Sequence, residues 1–150
     1  MRIITHAHIA DMHTAANIHI GRINFIMLSI SLCTDNRRIA AACKSFGKIY
    51  GDEFYLYESV YNNEILGGIL FEVKSCLVEV VGYQGPDDDF GLFDGLLRAG
   101  LNYAEKHGIE AGCIPELFRY ENRSLFIHLN YPPEIVFNIV NFFGKYKNCT

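Results

Sequence analysis

Residues 75–97, SCLVEVVGYQGPDDDFGLFDGLL, constrain the fold more than any other stretch. Residues 76–81 are a short apolar, valine-rich run and predict a strand that enters Gly82. Residues 83–91 carry Gly, Pro and three aspartates and predict a loop. Phe93, Leu96, Leu97 and Leu101 recur at helical spacing, with the small Ala99 and Gly100 between them, so a helix follows. A strand, a glycine-containing loop and a helix start together offer unpaired backbone N–H groups to an anion. The same composition also serves an ordinary connection, in which Asp caps the helix and Gly and Pro shape the turn. This stretch alone is compatible with both readings.

The flanking sequence supplies the neighbours of that strand. Residues 54–61 are aromatic and β-prone, residues 62–64 (Asn-Asn-Glu) form a turn, and residues 65–73 return as a second strand. A turn at Lys74 and Ser75 then leads into the strand at 76–81, giving an antiparallel meander of three strands. The helix over residues 93–107 should pack on it and stop at Lys106-His107-Gly108, a basic last turn followed by Gly. Residues 109–114 read as another strand and residues 121–130 as a short helix. Upstream, Thr34-Asp35-Asn36 is a cap signal, and Ile39, Ala42, Cys43, Phe46 and Ile49 place one apolar face on a helix over residues 37–50. Residues 2–5 read as a first strand and 9–20 as a first helix; residues 23–32 fit helix or strand equally.

With 150 residues, half of them hydrophobic and 20% charged, the chain is read as one domain spanning residues 1–150 with a normal core. A net charge of −4 argues against a general nucleic-acid binder. The five cysteines are odd in number and contain no Cys-x-x-Cys pair. They read as reduced thiols of a cytoplasmic protein and not as a zinc site or a disulfide framework. No basic leader precedes an apolar run, and the apolar residues 18–33 are interrupted by Arg22 and Asn24. That run is also shorter than the roughly 20 residues a spanning helix needs, so no membrane segment is expected. His6-Ala7-His8 has the spacing of a metal-binding pair, yet the later His107 and His128 fall in predicted helices without a matching ligand pattern. No metal is expected.

The order hairpin, strand, loop, helix, strand, short helix resembles that of the GCN5-related N-acetyltransferases (GNAT). Glu64-Ile65-Leu66-Gly67-Gly68 resembles the "G-x-(L/I)-x-G" strand of that family. Residues 102–109, NYAEKHGI, resemble its "A-x-x-x-G-I" helix exit. Residues 121–131, ENRSLFIHLNY, resemble a shortened "N-x-x-(A/S)-x-x-(F/Y)-(Y/F)-x-x-L-G-F" ending. The resemblance spans residues 52–131 and implies an α/β fold of the α+β kind: a mixed, mostly antiparallel sheet flanked by helices.

It also implies acetyl-CoA as cofactor and an amine, on a small molecule or a protein, as acceptor. The pantetheine would lie against Val80, Val81 and Gly82 and the pyrophosphate against the loop carrying Gln84, Gly85 and Gly91. Asn122 is a further cofactor-binding candidate. Glu79, on the central strand where several relatives carry a general base, and Tyr83 are the catalytic candidates. Two departures matter. Of the family's "(R/Q)-x-x-G-x-(G/A)" loop only Gln84 and a displaced Gly91 survive, while Pro86 lacks an N–H and Asp87, Asp88 and Asp89 add negative charge. Where many relatives place a proton-donating Tyr on the last short helix, this chain has Phe126. The alternative to an acetyltransferase is therefore a GNAT-like module that binds ligands or dimerises without catalysis. Residues 134–146, which carry Ile135, Val136, Ile139, Val140 and Phe143, form either a helix or a closing strand. Such an apolar segment needs cover from the core or from a second copy, which makes a homodimer an expectation.

Overall fold

The protein was analysed as a computed structural model that describes residues 28–145. Six strands form one sheet in the order β1-β2-β3-β4-β5-β6. They are β1 (Leu28–Leu32), β2 (Phe54–Tyr61), β3 (Glu64–Lys74), β4 (Leu77–Gln84), β5 (Ala111–Cys113) and β6 (Val136–Asn138). Every neighbouring pair is antiparallel except β4 and β5, which run parallel. The helices are α1 (Asn36–Ser45), α2 (Phe90–Lys106), α3 (Glu116–Glu121), α4 (Arg123–Phe126) and α5 (Ile139–Lys145). The expected mixed, mostly antiparallel α/β sheet is thus present. The expected strand at 2–5, the helix at 9–20 and the His6/His8 pair lie outside the described residues.

The meander follows from its turns. Asn62 and Asn63 both take positive φ, 50° and 65°, as a two-residue hairpin turn requires. Glu64 already pairs with Tyr61, so it belongs to the strand and not to the turn. Ser75 (φ 55°) and Cys76 make the second tight turn. The first β4 residue is therefore Leu77, and Cys76 is exposed.

Two cores flank the sheet. On one face α2 buries Phe93, Leu96, Leu97 and Leu101 against Ile69, Phe71, Val78 and Val80. On the other, α1 sets Ile39, Ala42 and Cys43 over Phe54, Leu56 and Leu70. Both helices end alike. At α2, Gly108 (φ 83°) lets its own N–H reach Glu105 O and the Ile109 N–H reach Ala104 O. At α1, Gly47 (φ 71°) donates to Lys44 O and Lys48 donates to Cys43 O. The α1 helix thus stops five residues before the expected end at Tyr50, and Ile49 is 90% exposed instead of continuing the apolar face.

The C-terminal half differs more. The strand expected at 109–114 contracts to β5. In place of one helix over 121–130 there are two short ones, and α3 begins at Glu116, ahead of the expected start. Of the expected element over 134–146, the described residues 134–145 are neither all strand nor all helix. Val136–Asn138 closes the sheet and Ile139–Lys145 folds back, with Ile139 and Phe142 buried and Val136 and Val140 exposed.

Candidate active site

β4 is paired with β5 only from Leu77 to Glu79. Beyond Cys113 the chain leaves the sheet through Pro115 into α3, while β4 continues to Gln84. The two parallel strands part at this point, and among the described residues the β5-side edge of β4 has no strand partner past Glu79. The pairing of β3 with β4 also shifts here: Leu70 faces Gly82 and Phe71 faces Val80, leaving Val81 as a bulge.

A cleft of about 430 Å³ opens at the parting. Its floor is Glu79, Val80 and Val81; Ser45, Phe46 and Lys48 from the end of α1 form one wall, and Pro115, Leu117, Phe118 and Glu121 the other. The early stop of α1 is what brings Phe46 here. An added Cβ on Gly82 would lie 2.3 Å from Phe46 Cε1, so only glycine admits the ring at this point of β4.

Glu79 faces this cleft. Lys74 Nζ donates to Glu79 Oε1 at 3.0 Å and lies 3.7 Å from Glu72, which is paired in turn with Lys48 at 2.9 Å. The hydrogen bond to Glu79 is the main reason the Lys74 ammonium is held above its ordinary range. Cys113, the register partner of Glu79, is buried, and burial pushes its thiol up, with Glu79 adding to the effect.

Tyr83 is elsewhere. Simple alternation puts residues 79 and 83 on one face, but the bulge at Val81 reverses the phase. The Tyr83 ring packs edge-on to Phe93 at 5.0 Å, on the α2 side, and its hydroxyl donates to Pro86 O at 3.1 Å. Burial raises its pKa, and Asp89, Asp87 and Asp88 raise it further. Glu79 and Tyr83 are thus separated by the sheet and do not meet at one reacting centre.

The loop residues are likewise dispersed. Strand β4 extends through Tyr83 and Gln84, and α2 starts at Phe90, so the loop spans residues 85–89 instead of 83–91. The Gln84 amide donates to Ser45 Oγ at 2.9 Å, on the α1 side. Gly85 abuts the Tyr83 hydroxyl, and Gly91 is buried in the first turn of α2. Asp89 is the N-cap: its Oδ1 accepts the Leu92 N–H at 3.0 Å. Asn122, at the α3–α4 junction, donates to Phe118 O at 2.9 Å. Phe126 packs against Phe93, Phe118 and Tyr131 in an aromatic cluster.

Sequence reasoning did not anticipate the α3 wall, the Lys74–Glu79 pair or the placement of Phe46. It also gave no hint of a buried polar group behind the site. Tyr131 donates to Asp94 Oδ1 at 2.6 Å, and Arg98 Nε contacts both Asp94 oxygens at 2.9 Å. The i,i+4 spacing of Asp94 and Arg98 was the available signal. A second groove, about 440 Å³, lies between α1 and the β2–β3 hairpin over the buried Glu58, which pairs with Arg38 at 2.9 Å. A larger hollow of about 550 Å³ at the β6–α5 edge contains no β4 residue. Among the described residues no group of three His, Cys, Asp or Glu side chains is placed to hold a metal, and no helix is long and apolar enough to cross a membrane.

The arrangement has counterparts among solved structures. The ribosomal-protein-S18-alanine N-acetyltransferase from Escherichia coli superposes with a TM-score of 0.53 at 17% identity, covering 71% of this chain and 79% of that one. A probable acetyltransferase from Staphylococcus epidermidis gives 0.52 at 10% identity, covering 75% of this chain and 99% of that one. The chain has a GNAT-like fold. At such identities the likeness concerns the fold and nothing finer. No protein-family model matches the sequence, and no curated protein does so either. Within the GNAT-like fold the parted β4 and β5, the bulge and the cleft occupy the middle of the sheet, where strand edge, carboxylate and open space meet.

Proposed function

We propose that the protein is an acyl-CoA-dependent N-acetyltransferase acting on an amine of a small molecule or a protein. The observation that carries this reading is the parting of β4 from β5 beside the Val81 bulge, with Glu79 in the resulting cleft. The amides of a pantetheine arm find there the edge of β4 at Val80, Val81 and Gly82, which among the described residues has no strand partner on its β5 side. A backbone N–H of the bulge polarises the thioester carbonyl. Glu79 takes one proton from the acceptor ammonium; the free amine attacks the carbonyl carbon, the C–S bond breaks to release the thiolate, and the nitrogen gives its second proton to solvent as the amide forms. Phe126 has no proton to give and Tyr83 lies across the sheet, so the thiolate is protonated by solvent. Lys74 orients Glu79 through its 3.0 Å hydrogen bond to Oε1.

The test combines binding and turnover. Acetyl-CoA at about 100 times its Kd should stabilise the protein by about 2.7 kcal/mol in a thermal-shift measurement. Glu79→Gln should retain that stabilisation and lower kcat with an accepted amine by about 10²–10⁴-fold. A Glu79→Gln variant with unchanged kcat would remove Glu79 from the mechanism. One observation favours a second reading, a GNAT-like module without catalysis: the Asp89 carboxylate already occupies a backbone N–H at the start of α2. Tight CoA binding with no transfer to any amine supports that reading instead.

A further inference from the structure

We infer that this site selects its acyl donor by the pantetheine arm and not by the nucleotide phosphates, so that acyl-pantetheine thioesters serve in place of acyl-CoA. The inference rests on the donor site proposed above.

The cleft offers an open strand edge, whereas the loop beside it carries three carboxylates. In the cleft, the β5-side edge of β4 past Glu79 has no strand partner among the described residues, and about 430 Å³ lies open next to it. An extended chain of amides and methylenes matches that surface. The loop over residues 85–89 is held by bonds to two of its carbonyls and by the Asp89 cap. Asp89 accepts the Leu92 N–H at 3.0 Å, Tyr83 donates to Pro86 O at 3.1 Å, and Ser124 donates to Asp87 O at 3.3 Å. The Gln84 amide donates to Ser45 Oγ at 2.9 Å. Pro86 contributes no N–H. The loop has no Lys or Arg between Tyr83 and Leu97 to offset Asp87, Asp88 and Asp89. An anion approaching the start of α2 therefore meets three carboxylates, one of which already satisfies a first-turn N–H. The pantetheine portion of the donor is neutral and avoids this field.

Calorimetry on the full chain compares CoA with pantetheine, and the comparison is repeated at low and high salt. The expected result is that pantetheine binds within about thirtyfold of CoA, roughly 2 kcal/mol. CoA binding should strengthen as salt rises, because the repulsion is screened over a Debye length of about 10 Å at 0.1 M. Asp87→Asn, Asp88→Asn and Asp89→Asn together should tighten CoA about tenfold at low salt and leave pantetheine unchanged, since Asn retains the cap at residue 89. CoA binding more than about thirtyfold tighter than pantetheine, or a triple variant that binds CoA worse, overturns the inference and leaves the acetyltransferase reading standing. If neither compound binds at millimolar concentration, the donor site itself is absent and both readings fall.

Discussion

Replacing Gly100 by alanine sets a local preference against a tertiary contact. In the interior of a helix, alanine is favoured over glycine by about 0.8–1.0 kcal/mol. Gly100 lies in α2 where it crosses β3, and an added Cβ would sit 2.0 Å from Phe71 Cε2 and 2.1 Å from Cζ. The ring has nowhere to go. Phe71 is fully buried and stacks on Tyr55 at 5.0 Å and 9°, and the Tyr55 hydroxyl donates to Gly100 O at 2.8 Å. Inserting a methyl into such a contact costs about 1–3 kcal/mol. Loss of the buried hydrogen bond adds about 1 kcal/mol. Subtracting the propensity gain, Gly100→Ala should destabilise the protein by about 1–3 kcal/mol. Urea unfolding should show a lower midpoint at unchanged m, and the melting temperature should fall by about 2–4 °C per kcal/mol. Phe71→Leu in the same background should recover part of the loss, as a favourable coupling between the two sites. A Gly100→Ala protein as stable as the parent, or more so, would refute the docking of α2 on β3 described above.

Tyr131→Phe removes the 2.6 Å bond to Asp94 and should cost about 1.5–3 kcal/mol, read by the same urea titration. Alkaline pH should unfold the protein. Burial pushes the Tyr55 and Tyr131 phenols above their ordinary range, and Asp94 raises Tyr131 further. The unfolded phenols ionise near pH 10, so their contribution is intact below about pH 10 and is lost as pH rises toward the folded values. Each contributes a slope of about 1.4 kcal/mol per pH unit in that window. The phenolate absorbance of these two residues should appear only together with unfolding, and a smooth titration of every tyrosine in the folded state would contradict their burial.

The legible parts of the fold were those set by local chemistry. Two asparagines with an alternating apolar pattern on either side fix a hairpin, and Lys106-His107-Gly108 fixes a helix end. The same helix-ending glycine at position 47 went unread because Ile49 continued the apolar spacing of Ile39, Ala42, Cys43 and Phe46. Periodicity cannot distinguish a buried residue from an exposed one that happens to fall in phase. The candidate site shows the deeper limit. Tyr83, expected in the loop, extends β4 instead, and the bulge at Val81 turns it to the face opposite Glu79. A bulge arises from the pairing with β3, which no single strand encodes. Val136–Asn138 and Ile139–Lys145 were ambiguous for a related reason: a three-residue strand is too short to show its period and exists because β5 offers an edge.

Amide NMR of the labelled protein during titration with acetyl-CoA reads whether an acyl-pantetheine lies along the β5-side edge of β4 beyond Glu79. The largest shifts should fall on Val80, Val81 and Gly82, with smaller ones on Leu117, Phe118 and Glu121 across the cleft. No shifts at millimolar acetyl-CoA, or shifts confined to the Arg38–Glu58 groove between α1 and the β2–β3 hairpin, would contradict it.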